Sequence, residues 1–159
     1  MYDGFVNQKE LQEEVIELKR VSKKTSGGSK MGFTALVVVG NKKGRVGSGV
    51  GKATDVPSAI QKALTKARRS MVDVKLKGTT IAHQISFKYG EAEVFLKPAP
   101  KGSGIIAGGS VRKVLGAVGI RDVSAKMLGS NNKISNVKCT IGALKKLKGI
   151  DELRSANKN

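Results

Sequence analysis

The sequence predicts an α+β chain of two small α/β domains, residues 1–75 and 76–159. Three observations carry this expectation. First, residues 33 to 69 join a β-branched run, a basic Gly-rich turn, a second Gly-rich run and a helix with one apolar and one cationic side. Second, the pattern breaks around Val74 to Gly78, and a further series of strand-like and helix-like segments begins after it. Third, 159 residues that are 39% hydrophobic suffice for one domain or for two modest cores.

Taken in order, residues 1–9 read as a loose terminus. Leu11 to Val21 reads two ways: Leu11, Val15 and Leu18 have helical spacing, whereas VIELKRV also suits a strand. Ala35 to Val39 has the composition of a buried strand, and Gly40 to Gly44 supplies turn residues. A strand at 41–53 follows, and then a helix at about 55–72 with Pro57 in its first turn. Its apolar side is Ile60, Ala63, Leu64, Ala67 and Met71. In the second unit, Thr79 to Lys88 and Ala92 to Lys97 read as strands, and Pro98 and Pro100 end the pattern. Ser110 is placed to cap a helix carrying Val111, Val114, Leu115 and Val118, closed by Gly119. A strand at Ile120 to Met127 and a helix at about Ser135 to Leu147 complete the unit, and a short polar tail follows.

Charge narrows the function. The chain carries 30 Lys and Arg against 12 Asp and Glu, a net charge of +18. Residues 1–22 are net −2, so the surplus lies in the rest. Such an excess costs self-repulsion unless a polyanion neutralises it, which favours nucleic acid as partner. No stretch is long or apolar enough to enter a membrane, and the acidic start does not resemble a signal peptide. A cytoplasmic location is expected. Cys139 is the only cysteine, which excludes an internal disulfide and a sulfur-rich zinc site.

Motifs for catalysis fail on inspection. In GRVGSGVGK, a Walker loop would need glycine at Val46 and Ser or Thr at Ala53. The glycines at 47, 49 and 51 instead leave one strand face bare, open to close approach by RNA or by the following helix; both readings stand at this stage. Lys52 adds charge beside the helix start, whose amides suit a phosphate. GSGIIA at 102–107, with Asp122 downstream, matches a dinucleotide fingerprint, but Pro98-Ala99-Pro100 interrupts the strand that should feed it. His83 has no second histidine and no cysteine partner nearby in sequence, so an ordinary hydrogen bond is expected. Cys139 reads as packing, and Glu13-Glu14 as a solvated face. No catalytic residue, metal or cofactor is called for.

The basic elements carry the positive case. Lys23, Lys24 and Lys30 flank the flexible pair Gly27-Gly28. Lys42, Lys43 and Arg45 mark a second tip, and Lys62, Lys66, Arg68 and Arg69 a helix face. Arg20 and Lys126 complete the set. With six aromatics and no tryptophan, base stacking is a poor fit, and recognition through phosphates, 2′-hydroxyls and RNA shape is expected.

The order of RVSK at 20–23, Gly27-Gly28, FTALVVVG, GRVGSGVGKA, VPSAIQKA and KARR resembles the family of bacterial small-subunit ribosomal protein five. TTIAH at 79–83, KPAPKGSGIIAGG at 97–109 and GSNNKISNVKCT at 129–140 extend the likeness over about residues 10 to 148. The resemblance implies a strand at 11–21, paired through a hairpin tip at 23–30 with residues 31–40, and bent at Gly27-Gly28. It implies an N-terminal unit like a double-stranded-RNA-binding domain without its first helix. It implies an α/β sandwich, the second-domain fold of that protein, for the C-terminal unit. By resemblance the partners are small-subunit ribosomal RNA and ribosomal proteins four and eight, with Gly104 and Arg112 at the contact to protein four. Messenger RNA would pass nearby, the hairpin tip would approach the spectinomycin pocket, and decoding accuracy would be affected. Ser26 and Ser29 depart from the family pattern, standing where a cation is common. A free double-stranded-RNA-binding module and a small nucleotide-binding enzyme are the rival readings.

Overall fold

The computed structural model describes residues 11–147. The first sheet is β1 (Gln12–Thr25), β2 (Gly28–Gly40), β3 (Arg45–Ala53) and a two-residue β4 (Val72–Asp73), antiparallel in that order. Helix α1 (Val56–Arg69) lies across one face. The second sheet has the order β5-β6-β8-β7, from β5 (Ile85–Tyr89), β6 (Ala92–Pro98), β7 (Ile105–Ile106) and β8 (Val123–Gly129). Helices α2 (Gly109–Val118) and α3 (Lys133–Lys145) pack beside it.

The ambiguous first segment is a strand. Val15 and Leu18 are about 40% exposed, so helical spacing there reflects no buried stripe. Opposite β1, the run from Ala35 to Val39 is fully interior because both faces of β2 are covered. Ala35, Val37 and Val39 pack with Ala59, Ala63, Leu64 and Ala67 of α1. Leu36 and Val38, pointing the other way, join a core with Val111, Val114, Leu115 and Val118 of α2. The sheet of the first unit is therefore also a wall of the second, and the two units share one apolar core.

The glycine alternation in β3 belongs to the helix. A Cβ on Gly47, Gly49 or Gly51 would overlap the carbonyl oxygens of Ala67, Ala63 and Ala59 respectively. Small residues every fourth position on α1 thus meet bare backbone every second position on β3, and the axes draw close. The β2–β3 register is continuous, without a bulge. Of the two occupants left open for this face, the structure puts helix rather than RNA on it.

Several element boundaries differ from expectation. The hairpin ladder continues to Thr25 opposite Gly28, so the turn is Ser26-Gly27, and Gly28 takes a φ of +129° that suits glycine. Strand pairing begins at Ile85 rather than Thr79; the segment before it is irregular because Ile81 inserts into the core and the Thr79 carbonyl accepts from the amides of Arg121 and Asp122. Gly108, not Ser110, is the N-cap of α2, with no side-chain cap bond. Gly119 closes that helix in the left-handed region as expected, at φ 102°. Asn132 caps α3 through its side chain, so the helix begins at Lys133, two residues before the predicted start. The two-residue β7, parallel to β8, carried no signal in the sequence.

Candidate nucleic-acid interface

Beyond Phe33, where β3 ends opposite it at Ala53, β1 and β2 continue as a two-stranded ribbon through five residue pairs to Thr25 and Gly28. At about 3.3 Å per residue the ribbon projects roughly 16 Å past the sheet. Its register sets Lys23 directly opposite Lys30, and Lys24 opposite Ser29. Like charges facing each other across an antiparallel pair destabilise it. A phosphate near the ribbon removes that cost. Lys24, Gly27 and Lys30 are exposed, while the Lys23 and Ser29 side chains lie outside what the structure describes. At the ribbon's base the Arg20 guanidinium donates to Met31 Sδ at 3.0 Å.

Lys42 and Lys43 are exposed, but their loop is no free tip. The Lys42 amide donates to the Ala117 carbonyl and the Gly44 amide to Val118, each at 3.0 Å, so the loop is docked on the end of α2. Asn41 Oδ1 braces it by accepting from the amides of Lys43 and Arg45. Arg45 faces Asp73 at 3.1 Å, and Arg68 is paired with Glu13, so these two cations already have carboxylate partners within the chain. Glu13 and Glu14 are exposed, as a solvated face requires, and each also meets a cation: strand alternation sends Glu13 to Arg68 on α1, and Glu14 to within 3.9 Å of Lys113 on α2.

Lys62, Lys66 and Arg69 are exposed along α1, with Lys62 donating to the Lys52 carbonyl. The first turn of α1 is capped by Asp55, whose carboxylate accepts from the Ser58 amide and hydroxyl. A carboxylate therefore occupies the end where Lys52 and the helix amides had suggested a phosphate. Lys126 stands apart from all of these, exposed on β8 opposite Phe95.

Gly104 and Arg112 flank a different feature. The loop at 100–104 is tied down by Asp122, whose Oδ1 accepts from the amides of Gly102 and Gly104 while Oδ2 accepts from the Thr79 hydroxyl. Asp122 had drawn notice only for a nucleotide fingerprint; its role here is to clamp that loop. The segment runs into β7 rather than from a strand into a helix, so the fingerprint's geometry is not formed. Arg112, exposed on α2, lines a cavity of ≈ 400 Å³ with Lys42, Arg121, Ile105 and Gly116.

The amide of Gly104, then the Thr79 hydroxyl, hold the Asp122 carboxyl below its ordinary 3.8 against the opposing effect of burial. A carboxyl lowered on folding contributes stability that is complete above the unfolded value and is lost as pH falls through the folded one. Asp122→Asn is thus expected to make the thermal midpoint less sensitive to acid from about pH 5 downward. Equal acid slopes for variant and wild type would remove this clamp.

His83 Nδ1 lies 2.8 Å from the Gln84 carbonyl, an ordinary hydrogen bond. Cys139 is buried, its thiol directed at the Phe87 carbonyl and pushed up in pKa by burial, as packing requires. No cluster of metal-ligating side chains occurs among the described residues, and no described helix is long and apolar enough to cross a membrane.

Comparison with known proteins adds to this geometry. Residues 11–75 match the family model described as ribosomal protein S5, N-terminal domain, and residues 87–157 match the one described as ribosomal protein S5, C-terminal domain. The chain is 50% identical over 143 residues to a small ribosomal subunit protein uS5 of Campylobacter jejuni, covering 90% of this chain and 97% of that one. It is 54% identical over 135 residues to the uS5 protein of Dehalococcoides mccartyi, covering 85% and 78%.

Proposed function

Because the chain belongs to the ribosomal protein S5 family, whose members are structural and non-catalytic, we propose that it joins folded segments of small-subunit ribosomal RNA through its basic ribbon and helix face. The observation that carries this reading is the ribbon itself: opposed lysines at the end of a two-stranded arm, away from both cores, in a chain of net charge +18. Cations held where RNA helices converge offset phosphate repulsion and need no base-specific contact.

The RNA-facing set proposed is Arg20, Lys23, Lys24, Gly27, Gly28, Lys30, Lys42, Lys43, Arg45, Lys52, Lys62, Lys66, Arg68, Arg69 and Lys126. Within it, Arg45 and Arg68 act chiefly as braces, since each already meets an acid of the chain. Gly104 and Arg112 are proposed to face ribosomal protein four, and ribosomal protein eight is a second neighbour. Residues 1–75 and 76–159 are the working units. The proposed place is the cytoplasmic small subunit near the messenger entry path, with influence on assembly and decoding accuracy.

The deciding experiment is sedimentation of a cell lysate through a density gradient after a moderate salt wash, with detection of this chain. Co-migration with small subunits is the expected result. A peak at the top of the gradient would overturn it and make a free double-stranded-RNA-binding module the leading account.

A further inference from the structure

A cleft of ≈ 280 Å³ lies where the two units meet, between α1 and α3, over Leu36 and the outer edge of β3. Its rim is formed by Ser48, Val50, Lys66, Ser70 and Lys138, with no acidic side chain among the described lining residues. Strand β4 pairs with β3 only at Arg45 and Val46, so among the described residues no strand covers the edge from Ser48 onward. Side chains reach that edge instead. The Ser70 hydroxyl donates to the Ser48 carbonyl at 2.9 Å, and Lys62 Nζ to the Lys52 carbonyl at 3.3 Å. Antiparallel strands turn the N–H and C=O of alternate residues to the same side. With residues 48 and 52 directed outward, Val50 between them presents its amide to the cleft.

Two cations therefore flank an outward backbone donor. Lys66 comes from the first unit and Lys138 from the second, and both are exposed. Ammonium groups beside a backbone N–H match the charge and hydrogen-bonding needs of a phosphodiester oxygen. We propose that this cleft seats a phosphate of the bound RNA backbone, held by Lys66 from one unit and Lys138 from the other. The inference rests on the RNA-binding reading above. It adds a contact that spans both units and a residue, Lys138, outside the basic face of α1. RNA seated there resists any separation of α3 from β3.

The test is equilibrium binding of a small-subunit ribosomal RNA fragment to the full chain across a salt series, with Lys138→Ala, Lys138→Arg and Lys101→Ala as variants. Lys101 is an exposed lysine outside the cleft. One lost phosphate contact lowers the slope of log affinity against log salt by about 0.7–0.9. Lys138→Ala is expected to show that loss, Lys138→Arg to restore the wild-type slope, and Lys101→Ala to change it by less than half as much. A wild-type slope in Lys138→Ala, or an equal loss in Lys101→Ala, would overturn the cleft and leave RNA binding intact. Wild-type protein with no salt-dependent RNA affinity would instead overturn the RNA-binding reading itself.

Discussion

Gly49→Ala is expected to destabilise the protein by about 3 kcal/mol, the upper end of what overpacking ordinarily costs. The added methyl would stand 2.6 Å from the Ala67 amide nitrogen and closer still to the Ala63 carbonyl. Both are helix backbone, which no rotamer change can move aside. Helix α1 must therefore lift from β3, which also disturbs the packing of Ala63 and Ala67 over Val37. For a chain of this size the thermal midpoint should fall by roughly 6–12 °C. Gly116→Ala supplies the contrast. A Cβ there meets nothing within 4 Å, and a helix-interior glycine costs about 0.5–1 kcal/mol against alanine, so the same substitution should stabilise. Thermal unfolding of both variants checks the pair. A midpoint for Gly49→Ala within 2 °C or so of wild type would mean that α1 and β3 are less closely packed than described.

Replacing Lys23, Lys24 and Lys30 together by alanine is expected to reduce the salt slope of ribosomal RNA binding by about 2–3 while leaving stability nearly untouched. Lys24 and Lys30 are exposed and belong to neither core, so their truncation leaves no cavity. Removing lysines that face each other across the ladder also relieves a repulsion within the free protein. Loss of RNA affinity without loss of fold separates a contact surface from a scaffold. An unchanged slope would take the ribbon off the contact surface and leave the α1 face to carry RNA binding.

Much of the architecture was legible because it rests on strong periodic signals. The run Ala35 to Val39 read as interior, and Ala63, Leu64 and Ala67 read as the apolar side of a helix; both follow from composition and spacing. What stayed hidden was set by contacts between distant segments. The glycines of β3 pointed to close approach, but only the helix carbonyls above them identify the occupant. The loop carrying Lys42 and Lys43 read only as a basic tip, because nothing local reveals its amide bonds to the end of α2, some 75 residues later. Ion pairs between Glu13 and Arg68, and between Arg45 and Asp73, were hidden for the same reason. Lys138 drew no attention as one lysine among 23, and it matters only because α3 passes beside the edge of β3. Asp122 carried a signal that could have been used: an acid shortly after a Gly-rich loop can fold back on that loop's amides as readily as it can bind a ribose.

The wall shared between the two units also sets a clock on synthesis. Leu36, Val38 and Val46 belong to the first unit, yet their cover includes Val111, Val114 and Leu115. Synthesis at about 5–20 residues per second puts those residues roughly 2–9 s behind the completion of α1. For that interval the nascent chain has α1 seated on one side of its sheet and bare oil on the other. A sticky, half-dressed sheet of this kind is what chaperones bind, so arrest of translation between residues 75 and 109 should yield an aggregation-prone fragment rather than a finished RNA-binding domain.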